Sequence, residues 1–252
     1  MRTPDDIVDF LVAFACRQAS EVIPVPGGVA VRHRDFPVSY NNNRILVRET
    51  VEPAELLAAA DEVMRDLDYR VIVFLDDEAG RAFEGSALAA GYRPHPLVAM
   101  RFEGETSPAP AVPVESLELP VMVEMLRKEW RADEPELPED EVGQLATRVR
   151  ERHKGADEVH FLAVRQDGEP VSRADFYRRQ AIAQIEYVTT LPAYRGRGYS
   201  TAVMREALRR ARGCDTVFLF ADGDDWPQNW YGRLGFAPVG RFHEYVRACG
   251  GW

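Results

Sequence analysis

Residues 185–212, IEYVTTLPAYRGRGYSTAVMREALRRAR, constrain the fold more than any other stretch of the chain. The β-branched and aromatic run from Ile185 to Thr190 predicts a strand, and the apolar spacing after Ser200 predicts an amphipathic helix. Between them stands the turn Arg195-Gly196-Arg197-Gly198-Tyr199-Ser200. Glycine at 196 and 198 lets the backbone adopt conformations that a Cβ disfavours and lets a ligand approach it closely. A helix that starts here offers N–H groups without intrahelical partners and a partial positive charge. With Arg195 and Arg197 beside it, the turn reads as an anion cradle suited to a pyrophosphate. A glycine-rich turn that binds nothing is the bland alternative.

Residue types exclude the two common nucleotide loops. A Walker loop needs a lysine that is not present, and the dinucleotide fingerprint needs a third glycine where Thr201 stands. The stretch resembles the acyl-CoA loop of the GNAT superfamily of N-acetyltransferases, Gln/Arg-x-x-Gly-x-Gly/Ala. Arg195, Gly198 and Ser200 fall on its fixed positions, and Ser200 departs from the usual Gly or Ala. A second stretch, Tyr231-Gly232-Arg233-Leu234-Gly235-Phe236, resembles the family's Y-x-x-x-G-F ending. The resemblance covers about residues 112–252.

It implies an α/β fold with a mixed sheet, helices on both faces and a split beside the loop. It also implies acetyl-CoA as the acyl donor, held by Arg195, Gly196, Arg197, Gly198, Tyr199, Ser200 and Thr201. The backbone of Val188, Thr189 and Thr190 would pair with the pantetheine arm as an added strand. Tyr231 takes the family's general-acid position, with a core tyrosine at a helix end as the alternative. Glu186 stands where several members carry a base. Alternation puts it on one face with Val188 and Thr190, and a solvated or salt-bridged carboxylate is the competing reading. The family often has Asn seven residues before its Tyr; here that position is Asp224, so that role is not carried over. Trp226 and Trp230 cluster with Tyr231 near the expected pocket. Six arginines against one acid, Glu206, between Leu191 and Arg212 fit a phosphate-rich ligand, although Arg209, Arg210 and Arg212 also suit a solvated helix face.

The first half also alternates helices and strands. Helices are expected at 5–19, capped by Thr3 or Asp5, from Pro53, and at 79–90. Strands are expected at 29–32, 45–47, 71–77 and 97–102, and the continuous apolar run of the third suggests burial on both faces. EGETSPAPAVP at 103–113 reads as a linker, which divides the chain into 1–104, a linker at 105–111, and 112–252. In the second half, helices are expected at 120–130 and 138–152 and a hairpin turn at Asp167-Gly168. The halves echo each other at an offset of about 145 residues. Gly91-Tyr92-Arg93-Pro94 corresponds to Gly235-Phe236-Ala237-Pro238, and VIVFLDD to TVFLFAD. Two GNAT-like lobes in tandem are therefore expected. The first is degenerate, because acidic Glu49-Thr50-Val51-Glu52-Pro53 stands where a pyrophosphate would sit.

A net charge of −10 argues against nucleic acid as a partner and suits a cationic small molecule. Cys16, Cys214 and Cys249 form no paired motif and read as reduced, mostly buried thiols. No metal-ligand spacing, leader or membrane-spanning run is evident, so a cytoplasmic monomer or homodimer is expected. Three functional classes remain. One is an N-acetyltransferase with a small-molecule or aminoacyl amine acceptor. The second is a non-catalytic acyl-CoA sensor or regulatory protein, and the third is a nucleotide-phosphate binder.

Overall fold

The computed structural model describes residues 3–104, 108–223 and 227–249. Asp224, Trp226 and residues 105–107 of the expected linker lie outside the described residues. In chain order the elements are α1 (Asp5–Gln18), β1 (Glu21–Val25), β2 (Gly28–Arg32), β3 (Arg44–Val47), α2 (Pro53–Val63), β4 (Tyr69–Phe74), α3 (Asp77–Ala89) and β5 (Arg93–Phe102). They continue as β6 (Glu115–Leu117), α4 (Leu119–Asp133), α5 (Glu139–Thr147), α6 (Arg152–Gly155), β7 (Glu158–Gln166), β8 (Glu169–Arg179) and β9 (Ile182–Thr190). The last are α7 (Tyr199–Arg210), β10 (Thr216–Asp222), α8 (Pro227–Arg233) and β11 (Phe236–Ala248). Among the described residues, no helix is long and apolar enough to cross a membrane.

Contacts group these elements into two compact units, Met1–Met100 with Phe220–Trp252, and Arg101–Leu219. The linker divides the chain elsewhere because a composition change and a packing boundary record different things. In the first unit the strand order is β1-β2-β3-β4-β11-β5. β11 runs antiparallel to β4, from His243 opposite Phe74 to Ala248 opposite Tyr69. The last strand therefore packs with the first hundred residues. β4 is buried along its whole length, as its continuous apolar run suggests.

Several local expectations need correction. Pro4, not Thr3 or Asp5, caps α1, and no side chain bonds there. β1 has no counterpart among the expected strands. Its Glu21 and Pro24 break the apolar run that would have marked it. The helix expected over 138–152 stops at Thr147, passes through a 3-10 turn at Arg148–Glu151, and resumes as α6. Cys16 and Cys214 are half-buried and Cys249 is exposed, so none is a core thiol.

α3 packs against β11 within the first unit through a close approach at Gly80. A Cβ there would lie 2.4 Å from the His243 ring. His243 Nε2 sits 2.9 Å from Asp77 Oδ1, and Tyr245 Oη donates to the Gly80 carbonyl at 2.7 Å. Burial works against charge on Asp77, but hydrogen bonds from His243 and Arg81 outweigh it and hold its pKa down at about 2. Gly80→Ala is expected to destabilise the protein by about 1–3 kcal/mol through overpacking. Urea unfolding would show this as a lower midpoint at unchanged slope.

The second unit has strand order β10-β9-β8-β7-β6, in which β9 and β10 are parallel and the other pairs antiparallel. Asp167 and Gly168, at φ of 52° and 84°, make the hairpin turn between β7 and β8. A strand–helix–parallel strand unit thus occurs in each unit: β3-α2-β4 in one and β9-α7-β10 in the other. Gly91 after α3 and Gly235 after α8 both have positive φ, 82° and 96°, and each leads into a long strand.

Candidate active site

The elements that make a site in the second unit meet along β9. Its register with β10 runs from Ile182 opposite Thr216 to Ile185 opposite Leu219. Its register with β8 continues to Thr190 opposite Ser172. Residues 186–190 therefore have β8 on one side and, among the described residues, no paired strand on the β10 side. Within this stretch the ladder shifts. Asp175 pairs with Glu186 and Arg173 with Thr189, so Tyr187 and Val188 together face Ala174. Tyr187 has φ 52°, left-handed for a non-glycine residue, which marks a β-bulge.

The bulge corrects the face assignment for Glu186. Paired residues share a face, so Glu186 lies with Thr189, Asp175 and Arg173, not with Val188 and Thr190. One extra residue reverses the alternation beyond it. Glu186 Oε1 accepts a hydrogen bond from Gln184 Nε2 at 2.7 Å.

β9 feeds the glycine turn. Gly196 and Gly198 have φ of 76° and 80°, and a Cβ on either would meet nothing within 4 Å. The glycines answer a backbone requirement and leave open space above the turn. Gly198 caps α7 with no side-chain hydrogen bond, so the helix N-terminus faces that space. Arg195 Nε donates to the Thr190 carbonyl at 3.2 Å, and Arg197 to the Ala193 carbonyl at 3.3 Å with its guanidinium over the Tyr194 ring. Both arginines remain exposed beside the turn, where their charge can reach an anion.

Ser200 has a structural reason for replacing the usual glycine or alanine. Its hydroxyl lies 2.6 Å from Thr190 Oγ1, which donates to Ser172 Oγ at 2.8 Å, which in turn donates to the Thr189 carbonyl at 2.9 Å. The first turn of α7 is thereby tied to β9 and β8. Ser200→Ala is expected to remove one bond from this chain, lowering stability by about 1 kcal/mol. A melting curve reads the loss. Arg209 and Arg210 both bond to the buried Glu206, at 2.7 to 2.9 Å, and hydrogen bonding from Arg209 holds that carboxylate's pKa down. Arg209 thereby serves its own helix, whereas Arg210 also lies 3.1 Å from His160 Nε2 on β7.

The opposite face of the sheet carries a polar cluster that the sequence reading missed. Arg173 bonds to Glu129 on α4 at 3.0 and 3.3 Å and to Asp175 at 3.0 Å. Asp175 also accepts from Tyr177 Oη at 2.9 Å. Burial pushes the Asp175 carboxyl up against the opposing field of Arg173. α4, α5 and the segment around Arg148 and Arg152 cover this cluster and line a half-open cavity of about 180 Å³. The available signal was Arg173-x-Asp175-x-Tyr177, three polar groups at period two inside a strand.

Tyr231 belongs to the first unit, in α8. It is buried, its ring centroid 5.0 Å from that of Trp230 and 6.1 Å from that of Phe236. Burial pushes its pKa up to about 12, so the phenol keeps its proton through the neutral range.

Residues 119–236 match the acetyltransferase (GNAT) family, whose chemistry is acyl transfer from acyl-CoA. Solved structures place the whole chain among GNAT folds. A GCN5-related N-acetyltransferase from Kribbella flavida is 18% identical, covering 98% of this chain and 95% of its own at a TM-score of 0.62. A tandem GNAT protein from the clavulanic acid biosynthesis pathway is 16% identical, with coverage of 98% and 96% and a TM-score of 0.55. A functionally unknown conserved protein from Staphylococcus epidermidis reaches a TM-score of 0.71 at 13% identity, covering 90% of this chain and 94% of its own. At these identities the likeness is one of fold. No curated protein matches the chain.

Proposed function

We propose that the chain is an acetyl-CoA-dependent N-acetyltransferase that transfers acetyl directly to a primary amine of a small molecule or an aminoacyl group. The observation that carries the reading is the edge of β9, without a paired strand among the described residues, leading into a glycine turn at a helix N-terminus. Acetyl-CoA supplies a thioester carbonyl open to attack by an amine. The N–H groups at the start of α7, with Arg195 and Arg197, would take its diphosphate, and Gly196 and Gly198 would let it approach the backbone. Val188, Thr189 and Thr190 would hold the pantetheine amides in the manner of an added strand, and Tyr199 and Thr201 would complete the cradle.

Transfer needs a deprotonated amine and a proton for the departing sulfur. Tyr231, neutral at working pH, is the proposed donor. Glu186 is the proposed base, acting through water. The first hundred residues are read as a degenerate lobe. The start of α2 is capped by Glu52 with no side-chain bond, and Glu49 and Asp76 line a hollow with Arg48, a poor setting for a diphosphate. A cytoplasmic monomer or homodimer fits this reading.

A comparison of melting temperatures with acetyl-CoA, CoA, ATP and no ligand tests it. Stabilisation by acetyl-CoA and CoA but not ATP supports the cradle, whereas a response to ATP alone overturns it. Release of CoA in the presence of amines separates the enzyme from a non-catalytic acyl-CoA sensor.

A further inference from the structure

α8 spans seven residues, about two turns, and a helix that short is not held by its own backbone bonds. Tyr231 lies on it, so the place of the phenol depends on what fixes the helix at each end. At the far end the Tyr231 ring meets Phe236, the first residue of β11, edge to face. Leu234 N and Gly235 N close the helix there on the Tyr231 and Gly232 carbonyls, at 2.9 and 3.1 Å. At the near end the anchor is a side chain. Gln228 Nε2 donates to the Asp222 carbonyl at 2.8 Å and to the Gly223 carbonyl at 2.9 Å, which ties the first turn of α8 to the end of β10. Gln228 and Tyr231 are three residues apart, on one face of the helix.

The two carbonyls that Gln228 takes are themselves fixed from β5. Gly223 N donates to the Pro96 carbonyl at 2.9 Å. The approach is close, since a Cβ on Gly223 would stand 2.8 Å from that oxygen. His95, one residue earlier on β5, places Nε2 3.3 Å from Asp222 Oδ2 and Nδ1 3.7 Å from Glu244 Oε1. The imidazole therefore joins the last residue of β10 to β11 across the strand between them. Glu244 raises its pKa to about 9 against the cost of burial, and Asp222 adds to the effect, so His95 is charged through the neutral range. His95, Pro96, Asp222, Gly223, Gln228, Tyr231 and Glu244 all belong to the first unit.

Resting on Tyr231 as the acid of the N-acetyltransferase reading, we infer that Gln228 and His95 are positioning residues for it, clasping the start of α8 to β10 and β5 and so setting where the phenol stands. A general acid has to lie within hydrogen-bond reach of the atom it protonates, and a displacement of about 1 Å costs about 10²-fold in rate. The first hundred residues then contribute to the reaction without holding acyl-CoA, because β5 supplies His95 and the Pro96 carbonyl.

The test uses the full chain with Gln228→Met, which keeps the length of the side chain and removes its donor, and with His95→Leu. Each is made alone and combined with Tyr231→Phe, and CoA release from acetyl-CoA is followed with primary amines. Gln228→Met should lower kcat about 10- to 100-fold and His95→Leu about 10-fold. KM for acetyl-CoA should stay within about twofold of wild type. In the Tyr231→Phe background neither should lower kcat further by more than about twofold, because a positioning residue has no effect once the group it positions is gone. A residue that only supports the fold would lower kcat by the same factor in both backgrounds. His95→Leu, half-exposed on another strand, carries the test should Gln228→Met misfold. Hydrogen exchange gives a readout independent of turnover: amides of residues 228–234 should exchange about tenfold faster in Gln228→Met. Unchanged exchange, kcat within about threefold of wild type in both variants, or equal losses in the two backgrounds each overturn the inference. If Tyr231→Phe alone leaves turnover within a few-fold of wild type, or the wild type turns over no amine, the acid is misassigned and the inference falls with it. Faster exchange in that case marks the clasp as structural only.

Discussion

Replacing Gly198 by Glu is expected to abolish stabilisation by acetyl-CoA while leaving the protein folded. At about one hundred times its dissociation constant a ligand adds about 2.7 kcal/mol to the native state, and the variant should show none of this. The cause is electrostatic and steric together. A carboxylate at the Gly198 cap of α7 would stand in the space proposed for the diphosphate and repel it. Because Gly198 has φ 80°, any side chain there also costs about 1–2 kcal/mol of backbone strain. The open space around its Cβ direction means that no core contact is broken, so unliganded melting should fall by only several degrees. Gly198→Ala separates the two causes, since it carries the strain without the charge. If the Glu variant responds to acetyl-CoA as the wild type does, the turn is not the cradle.

Tyr231→Phe is expected to lower kcat by about 10²- to 10⁴-fold, the usual contribution of a positioned general acid, with acetyl-CoA affinity unchanged. Phenylalanine preserves the ring contacts with Trp230 and Phe236, so a purely structural tyrosine would tolerate the exchange. Turnover within a few-fold of wild type would therefore remove Tyr231 from the mechanism. Alkaline pH gives a second readout. An unfolded tyrosine has a pKa of about 10, whereas burial holds this one to about 12. As pH rises from about 10 the unfolded chain loses its proton first, so native stability declines across that window. Tyr92, also pushed up to about 12 by burial, contributes in the same direction and persists in the Phe variant. The variant's decline should accordingly be shallower than that of the wild type.

What could be read from the sequence followed from local chemistry. Glycines at 196 and 198 have few roles beside a strand and a helix start, and both proved to have positive φ. The continuous apolar strand, expected at 71–77 and found at Tyr69–Phe74, was legible because burial on both faces removes alternation. The face of Glu186 was not legible, because a bulge inserts one residue without leaving a composition signal and reverses every assignment beyond it. The ion cluster around Arg173 was missed for another reason. Its partner Glu129 lies 44 residues away on α4, and pairing over such a distance depends on tertiary packing. β11 shows the same limit: nothing in its own residues indicates that β4, more than 160 positions earlier, is its neighbour.

The place of β11 governs the order in which the protein can mature on the ribosome. The second unit is one uninterrupted stretch and can gather its contacts as soon as residue 219 has emerged. The first unit has to wait. Its sheet lacks an inner strand until the final one, Phe236–Ala248, has been synthesised and inserted between β4 and β5. Until then β4, the most deeply buried of its strands, presents an unmatched edge to the cell. The helix bearing Tyr231 arrives in the same late segment, so the proposed acid is added only as this sheet is completed.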